Sequence, residues 1–377
     1  MDPGDARKPP QPPPDRAEPY LEAAVPTPVR KLKGADVALR GAHHKRGAPL
    51  THAFHPGWGK DEHVDHQSER AVQNTYSAQR HTRRRATAMT LIGAGVLLAA
   101  CGGSSNTTGN GLNGTMSGTA MKGPVANATV TAFGVANGAK GSQLATARTD
   151  AQGHFTMQLG AYAGTVLVEM QGGSYTDEAT NATMSMSGAD VMTSVVPGFA
   201  AGSSMTIAVT PLTSMAQTMA QGMAGGMTDA NVTAANGGVG SYFSVGDILH
   251  TTPMDPLVAG SGGAATQDQK NYGMTLAAMS QYAKTIGMPV SSGIVTAMMN
   301  DASDGVMNGT AGSTPINMSG MGGMMGGNTM MSATAGTKGL STAMGEFVAS
   351  GMNRSGVPVS EMQTLIDKLN ASSGVIQ

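Results

Sequence analysis

The sequence predicts an α+β chain in which an antiparallel β-sandwich is followed by an α-helical domain. Three observations carry that reading. From Met116 to about Thr210, short runs alternate β-branched or aromatic residues with small ones and are divided by glycine and aspartate turns. At Thr210-Pro211 the apolar period changes from two to about 3.6. Upstream of both the composition is different in kind: residues 1–79 hold eleven of the nineteen prolines and show no apolar periodicity.

The first 79 residues, opening on "KPPQPPPDRAEP", cannot bury enough apolar surface to offset the entropy of ordering, so they are expected to be disordered. Their histidines, in "GAHHKRG" and "HAFHPGWGKDEHVDH", have neither the helix nor the paired-cysteine context that a metal site uses. Residues 80–100 have the order of a secretory signal. Three arginines, Arg83 to Arg85, precede twelve uncharged residues, Met89 to Ala100, and small residues follow. Twelve residues make about 18 Å of helix, too short for a hydrocarbon core of about 30 Å. A signal normally starts within a few residues of the chain's beginning, so translation is expected to start nearer Val72 than Met1.

The end of that run, "LAAC" (Leu98 to Cys101), resembles the lipobox of bacterial lipoproteins. The resemblance implies diacylglycerol on the Cys101 thiol, cleavage before Cys101 and acylation of the new amino terminus. Several acyl chains anchor stably where one is marginal. Gly102 follows the cysteine where many inner-membrane members carry aspartate, which favours the outer membrane. "TRRRAT" faintly resembles a twin-arginine signal but lacks the residues that usually follow, so general secretion is the reading. The expected partners are a membrane, through the lipid anchor, and an envelope protein or glycan.

Residues 101–115, with "GGSSNTTGNGLNGT", read as a flexible tether. The chain from Cys101 to Gln377 has 277 residues, enough for one large or two small domains. Its eight Lys/Arg against fourteen Asp/Glu leave a charge of −6, which argues against nucleic acid. No second cysteine exists, so no disulfide framework does.

Within 116–210, "ATVTAF", "QLATARTD", "GHFTMQL" and "GTVLVEM" read as strands. "TDAQGHF" (Thr149 to Phe155) reads as a hairpin, with Asp150 and Gly153 supplying the turn. Gly123, Val125, Ala128 and Val130, then Thr149, Asp150, Gly153 and Phe155, then "GAYAGTVLVEM", resemble the carboxypeptidase regulatory-like family. That resemblance covers about 85 residues. It implies a transthyretin-like sandwich and carries no catalytic residues; Asn127 stands where the family commonly has glycine. Asp177 and Glu178 in "GGSYTDEAT" are candidate carboxylates, although adjacent acids on a loop are more often simply solvated.

From residue 211 to 377 the expectation is helical. Thr210 is a good N-cap and Pro211 suits the first helical position. Further helices are expected at Thr228–Ala235, Gln267–Ile286, Ile294–Met299, Thr337–Ser350 and Ser360–Leu369. Val359, Met362, Leu365, Ile366 and Leu369 form one face of the last.

Chemistry is sparse. Only His154 and His250 remain after Cys101, and there is no G-x-S-x-G elbow, phosphate loop, H-E-x-x-H or dinucleotide fingerprint. The chain reads as non-catalytic, with no cofactor. Two stretches suggest metal instead. In "NDASDGVMNGT", Asp301, Ser303, Asp304 and Asn308 offer the oxygens of a calcium loop, but Gly305 falls one position early and no bidentate glutamate follows. The plainer reading is a helix end and a turn. In "NMSGMGGMMGGNTMM" (Asn317 to Met331), Met321, Met324 and Met325 offer thioethers of the kind that select Cu(I). Methionine is also spread through the helices as a core filler, so a surface loop is the plainer reading there. A non-catalytic envelope lipoprotein is the leading expectation, and a metal-handling lipoprotein is the alternative.

Overall fold

The computed structural model describes residues 112–186, 188–319 and 330–377. The expected disordered segment, signal, Cys101, nearly all of the tether and Met321, Met324 and Met325 lie outside the described residues. What is described is mixed α+β, with several antiparallel sheets and six α-helices.

Two sheets hold most of the strands. One has the order β4-β1-β9, from β1 (Gly114–Ala120), β4 (His154–Gly160) and β9 (Ser204–Val209). The other has the order β3-β2-β5-β8, from β2 (Thr129–Ala136), β3 (Ala139–Arg148), β5 (Gly164–Gln171) and β8 (Val191–Phe199). Period-two burial is clearest in β4, where Phe155, Met157 and Leu159 point inward and their neighbours outward. A small ladder, β6 (Ser174–Thr176) with β7 (Thr183–Ser185), branches off after β5.

Two expectations about the strands are corrected. The arrangement is not purely antiparallel: β1 runs parallel to β9, in register from Thr115 with Ser204 to Ala120 with Val209. Parallel pairing delivers both strands to the same end, where the Met121 N–H donates to the Val209 carbonyl at 2.9 Å. The second correction concerns Thr149–Phe155, which is not a hairpin. β3 pairs with β2 while β4 pairs with β1, so this turn carries the chain from one sheet to the other. The turn itself follows the sequence signal. Asp150 Oδ1 accepts the N–H groups of Gln152 and His154, and Gly153 has φ +81°, where a Cβ would come 2.5 Å from the Ala120 carbonyl oxygen. That carbonyl belongs to β1, the strand paired with β4, so the close approach of the turn to its neighbour in the same sheet requires the glycine.

Helix α1 (Pro211–Gly222) begins where the period changes. Thr210 caps it and Pro211 occupies its first turn, with Thr213 closing a reciprocal capping box. Helix α2 (Asp229–Tyr242) is capped by Thr228 and runs seven residues past the expected Ala235. Buried Val232, Ala235, Val239 and Tyr242 form a helical stripe, and their burial outweighs the poor propensity of the glycines between them. Then come α3 (Gln267–Thr285), α4 (Ser292–Ala302), a π-helical turn (Ala335–Gly339) leading into α5 (Leu340–Ala349), and α6 (Val359–Ala371). On α6, Met362, Leu365 and Leu369 are buried, but Val359 is 37% exposed because it sits at the first helical position, beyond the packed face.

One apolar cluster runs from Met116 in β1 to Ile376 near the C-terminus and includes side chains from both sheets and all six helices. The methionine run is not wholly a surface loop. Met318 and Met331, at its two ends, are buried in that core, and Asn317 bridges to Met330. No helix among the described residues is long and apolar enough to cross a membrane.

Candidate functional site

The one strongly charged cluster inside the described fold is assembled by the end of β1. After Ala120 the chain turns through Met121–Pro124, with Gly123 at φ +63°. A Cβ on Gly123 would sit 2.4 Å from the Thr176 carbonyl oxygen, so glycine lets this turn press directly on the end of β6. That approach inserts the completely buried Lys122 side chain between Tyr175 and Glu178.

Lys122 Nζ lies 3.0 Å from Glu178 Oε2 and 5.3 Å from the centre of the Tyr175 ring. It also donates to Ser280 Oγ of α3, and that hydroxyl donates to Glu178 Oε2 at 2.6 Å. Beside this triangle, Asp177 Oδ2 accepts from Ser291 Oγ at 2.5 Å, and the same serine oxygen is 2.9 Å from the Tyr175 hydroxyl. Asp177 Oδ1 caps its own turn by accepting the backbone N–H and the hydroxyl of Thr180. A few residues on, Asp190 accepts from Ser292 and Thr296 of α4. Lys284 of α3 closes the edge by donating to the Ala179 carbonyl.

Asp177 and Glu178 are therefore not solvated loop acids; both are buried. The correction has a simple cause: Lys122 supplies the opposite charge, and serines on two helical segments supply the hydrogen bonds, so burial is tolerable. Burial alone would push the Lys122 ammonium down, but Glu178, Tyr175 and Asp177 outweigh it and hold it above its ordinary value. Burial likewise pushes Asp177 up, yet Lys122, Ser291 and Thr180 together hold its carboxyl below the ordinary range. The cluster is buried, hydrogen-bonded and shared between the β-strands and the helices. A surface cavity of about 410 Å³, lined by Ser241, Tyr242, Lys368, Ser372 and Val375 among others, includes none of these side chains.

Lys122 was missed because no motif surrounds it. The available signal was a single cation in "TAMKGPV", between strand residues and a turn glycine.

The Asp-rich turn holds itself together. Asp301 Oδ1 accepts the backbone N–H groups of Asn308 and Gly309, Asp304 accepts those of Val306 and Gly312, and Asn308 accepts from Thr310. Ser303 donates to the Asn300 carbonyl. These oxygens serve backbone donors, as in a helix end followed by a turn. Asp301 Oδ2 is buried without a hydrogen-bond partner, and desolvation pushes this carboxyl up to about 6. Among the described residues, no group of three or more His, Cys, Asp or Glu side chains is placed to hold a metal ion. His154 and His250 are exposed, each beside one aspartate, Asp150 and Asp247.

No family profile matches this chain, and no curated protein matches it. Among solved structures, a 9R-lipoxygenase from Cyanothece PCC8801 aligns at 9% identity with a TM-score of 0.19. That alignment covers 50% of this chain and 25% of the lipoxygenase, and likeness at this level carries no argument about fold or activity.

Proposed function

We propose that the chain is a non-catalytic, lipid-anchored envelope protein whose β-strands form a transthyretin-like sandwich that serves as a scaffold or recognition module for a protein or glycan. The observation that carries the reading is the order "RRR", apolar run, "LAAC" at Cys101, with the first strand starting at Gly114. The twelve residues from Cys101 to Leu112 span at most about 40 Å when extended, so the folded part stays close to the surface that holds the anchor. The finer layout, two sheets face to face with the helices docked behind them, is supported by the apolar core that both sheets share. A scaffold role is further favoured by where the charged side chains are used: the strongest cluster joins strand to helix and is sealed from solvent.

The test is metabolic labelling with palmitate in a bacterial host, followed by membrane fractionation. The parent chain is expected to take up label and enter the outer-membrane fraction, while Cys101→Ser takes up none and stays unprocessed. Normal labelling and processing of the serine variant would overturn the proposal.

A further inference from the structure

We propose that Lys122 and Glu178 become joined by an intramolecular isopeptide bond, Nζ of Lys122 to Cδ of Glu178. The two groups are already in contact at 3.0 Å, with both side chains buried. Holding an amine and a carboxylate at contact distance makes their condensation unimolecular, so the cost of bringing the reactants together is already met. Ser280 touches both partners, accepting from Nζ and donating to Oε2, so the three polar atoms form a closed proton path. The Tyr175 ring and the apolar core keep bulk water from this path.

The atoms balance without any other reactant. One ammonium proton first passes to Oε2, which frees the Nζ lone pair; the neutral amine then attacks Cδ, a C–N bond forms, and the C–Oε2 bond breaks. Of the three ammonium protons, one stays on the amide nitrogen. One passes directly to Oε2 and one passes through the Ser280 hydroxyl, so Oε2 leaves as water. In open water such a condensation runs backward. Here it replaces two buried charges with one neutral amide and releases its water to solvent, which removes the desolvation cost that the ion pair carries. The adjacent Asp177 remains ionised beside Ser280 and Ser291 and is not consumed.

The link would fasten the end of β1 to the turn after β6, 56 positions along the chain, in a molecule whose only cysteine is Cys101. It would do the work that a disulfide does in other exported chains.

The experiment is a tryptic digest of the full folded chain in denaturant, read by mass spectrometry. Lys122 is followed by Gly123 and is an ordinary cleavage site if its amine is free. The expected result is no cleavage after Lys122 and a branched peptide joining the Lys122 and Glu178 stretches, lighter than their sum by one water. Glu178→Ala is expected to restore cleavage, and Ser280→Ala to lower the share of branched peptide in chains harvested soon after synthesis. A folded parent chain that is cleaved after Lys122 and gives both peptides at full mass overturns the proposal. A branch mapped to Asp177 overturns the assignment of Glu178 as acceptor.

Discussion

The hydroxyl of Tyr272 lies 2.6 Å from that of Thr210, so the residue that caps α1 is held by the second turn of α3. The Tyr272 hydroxyl also donates to the Ile248 carbonyl at 3.0 Å, and burial pushes its phenol well above the ordinary value. Replacing it tests how tightly strands and helices are fastened. Tyr272→Phe takes the phenol donor from the buried Ile248 carbonyl and one partner from the Thr210 hydroxyl, and is expected to cost about 1–3 kcal/mol in chemical denaturation. A change under a few tenths would show that water or a shifted side chain replaces the bond.

Stability should depend on pH through Asp301. Its folded carboxyl is raised to about 6 from an ordinary 3.8, so the native state holds a proton more tightly than the unfolded chain does. The resulting stability is fully present below the unfolded value and is lost as pH rises through about 6. Tyr242 of α2 and Tyr282 of α3 face this carboxyl, with Asp304 on its own turn, and no cation is among the groups acting on it. The melting temperature is expected to fall between roughly pH 5 and pH 7.5, by an amount equivalent to ~1.4 kcal/mol. Asp301→Asn should flatten that slope. Asp177 and Asp247 are held below the ordinary range and act with the opposite sign, so their contribution is lost only as the solution becomes more acidic. A parent chain equally stable at both pH values would refute the role of Asp301.

The methionine run separates into two parts. Met318 and Met331 lie in the core, and the Met331 N–H donates to the Ile316 carbonyl at 2.9 Å. Met318→Ala is expected to cost about 2–5 kcal/mol. The Asn317–Met330 bridge brings the two ends together, so replacing residues 320–329 by two glycines should leave the melting temperature close to the parent value. Deleting Asn317–Met331 entirely should not.

A chain whose strands and helices share one core should unfold as one body. The Ala208 N–H donates to the Leu249 carbonyl, Ser214 of α1 bonds Thr193 of β8, and Lys122 bonds Ser280. A single calorimetric transition is expected, with coincident loss of strand and helix signals in circular dichroism. Two resolved transitions would show that the strand part and the helices are separate domains after all.

The helix starts were legible because Thr210, Thr228 and Thr266 cap by local chemistry that the sequence states directly. Strands β2 to β5 were legible for the same reason, since period two is a property of neighbours, whereas β1 and β6 to β9 were not individually read. Which strand pairs with which was not legible. Thr149–Phe155 has the residues of a hairpin turn, and only the separate partners of β3 and β4 reveal a crossing between sheets. The buried cluster was illegible for the same cause. Whether Asp177 and Glu178 meet water depends on Lys122, on Ser280 and on Ser291, and the two serines lie more than a hundred positions away.

The placement of β1 has a mechanical consequence. It is the middle strand of its sheet, paired with β4 on one side and β9 on the other over most of its length. Tension entering through the residues before Gly114 pulls along the strand axis. It therefore loads the hydrogen bonds on both flanks together, in shear, instead of peeling an edge one bond at a time. Rupture from that end requires both ladders to slip at once, and the far end of the strand is gripped by the Lys122 turn.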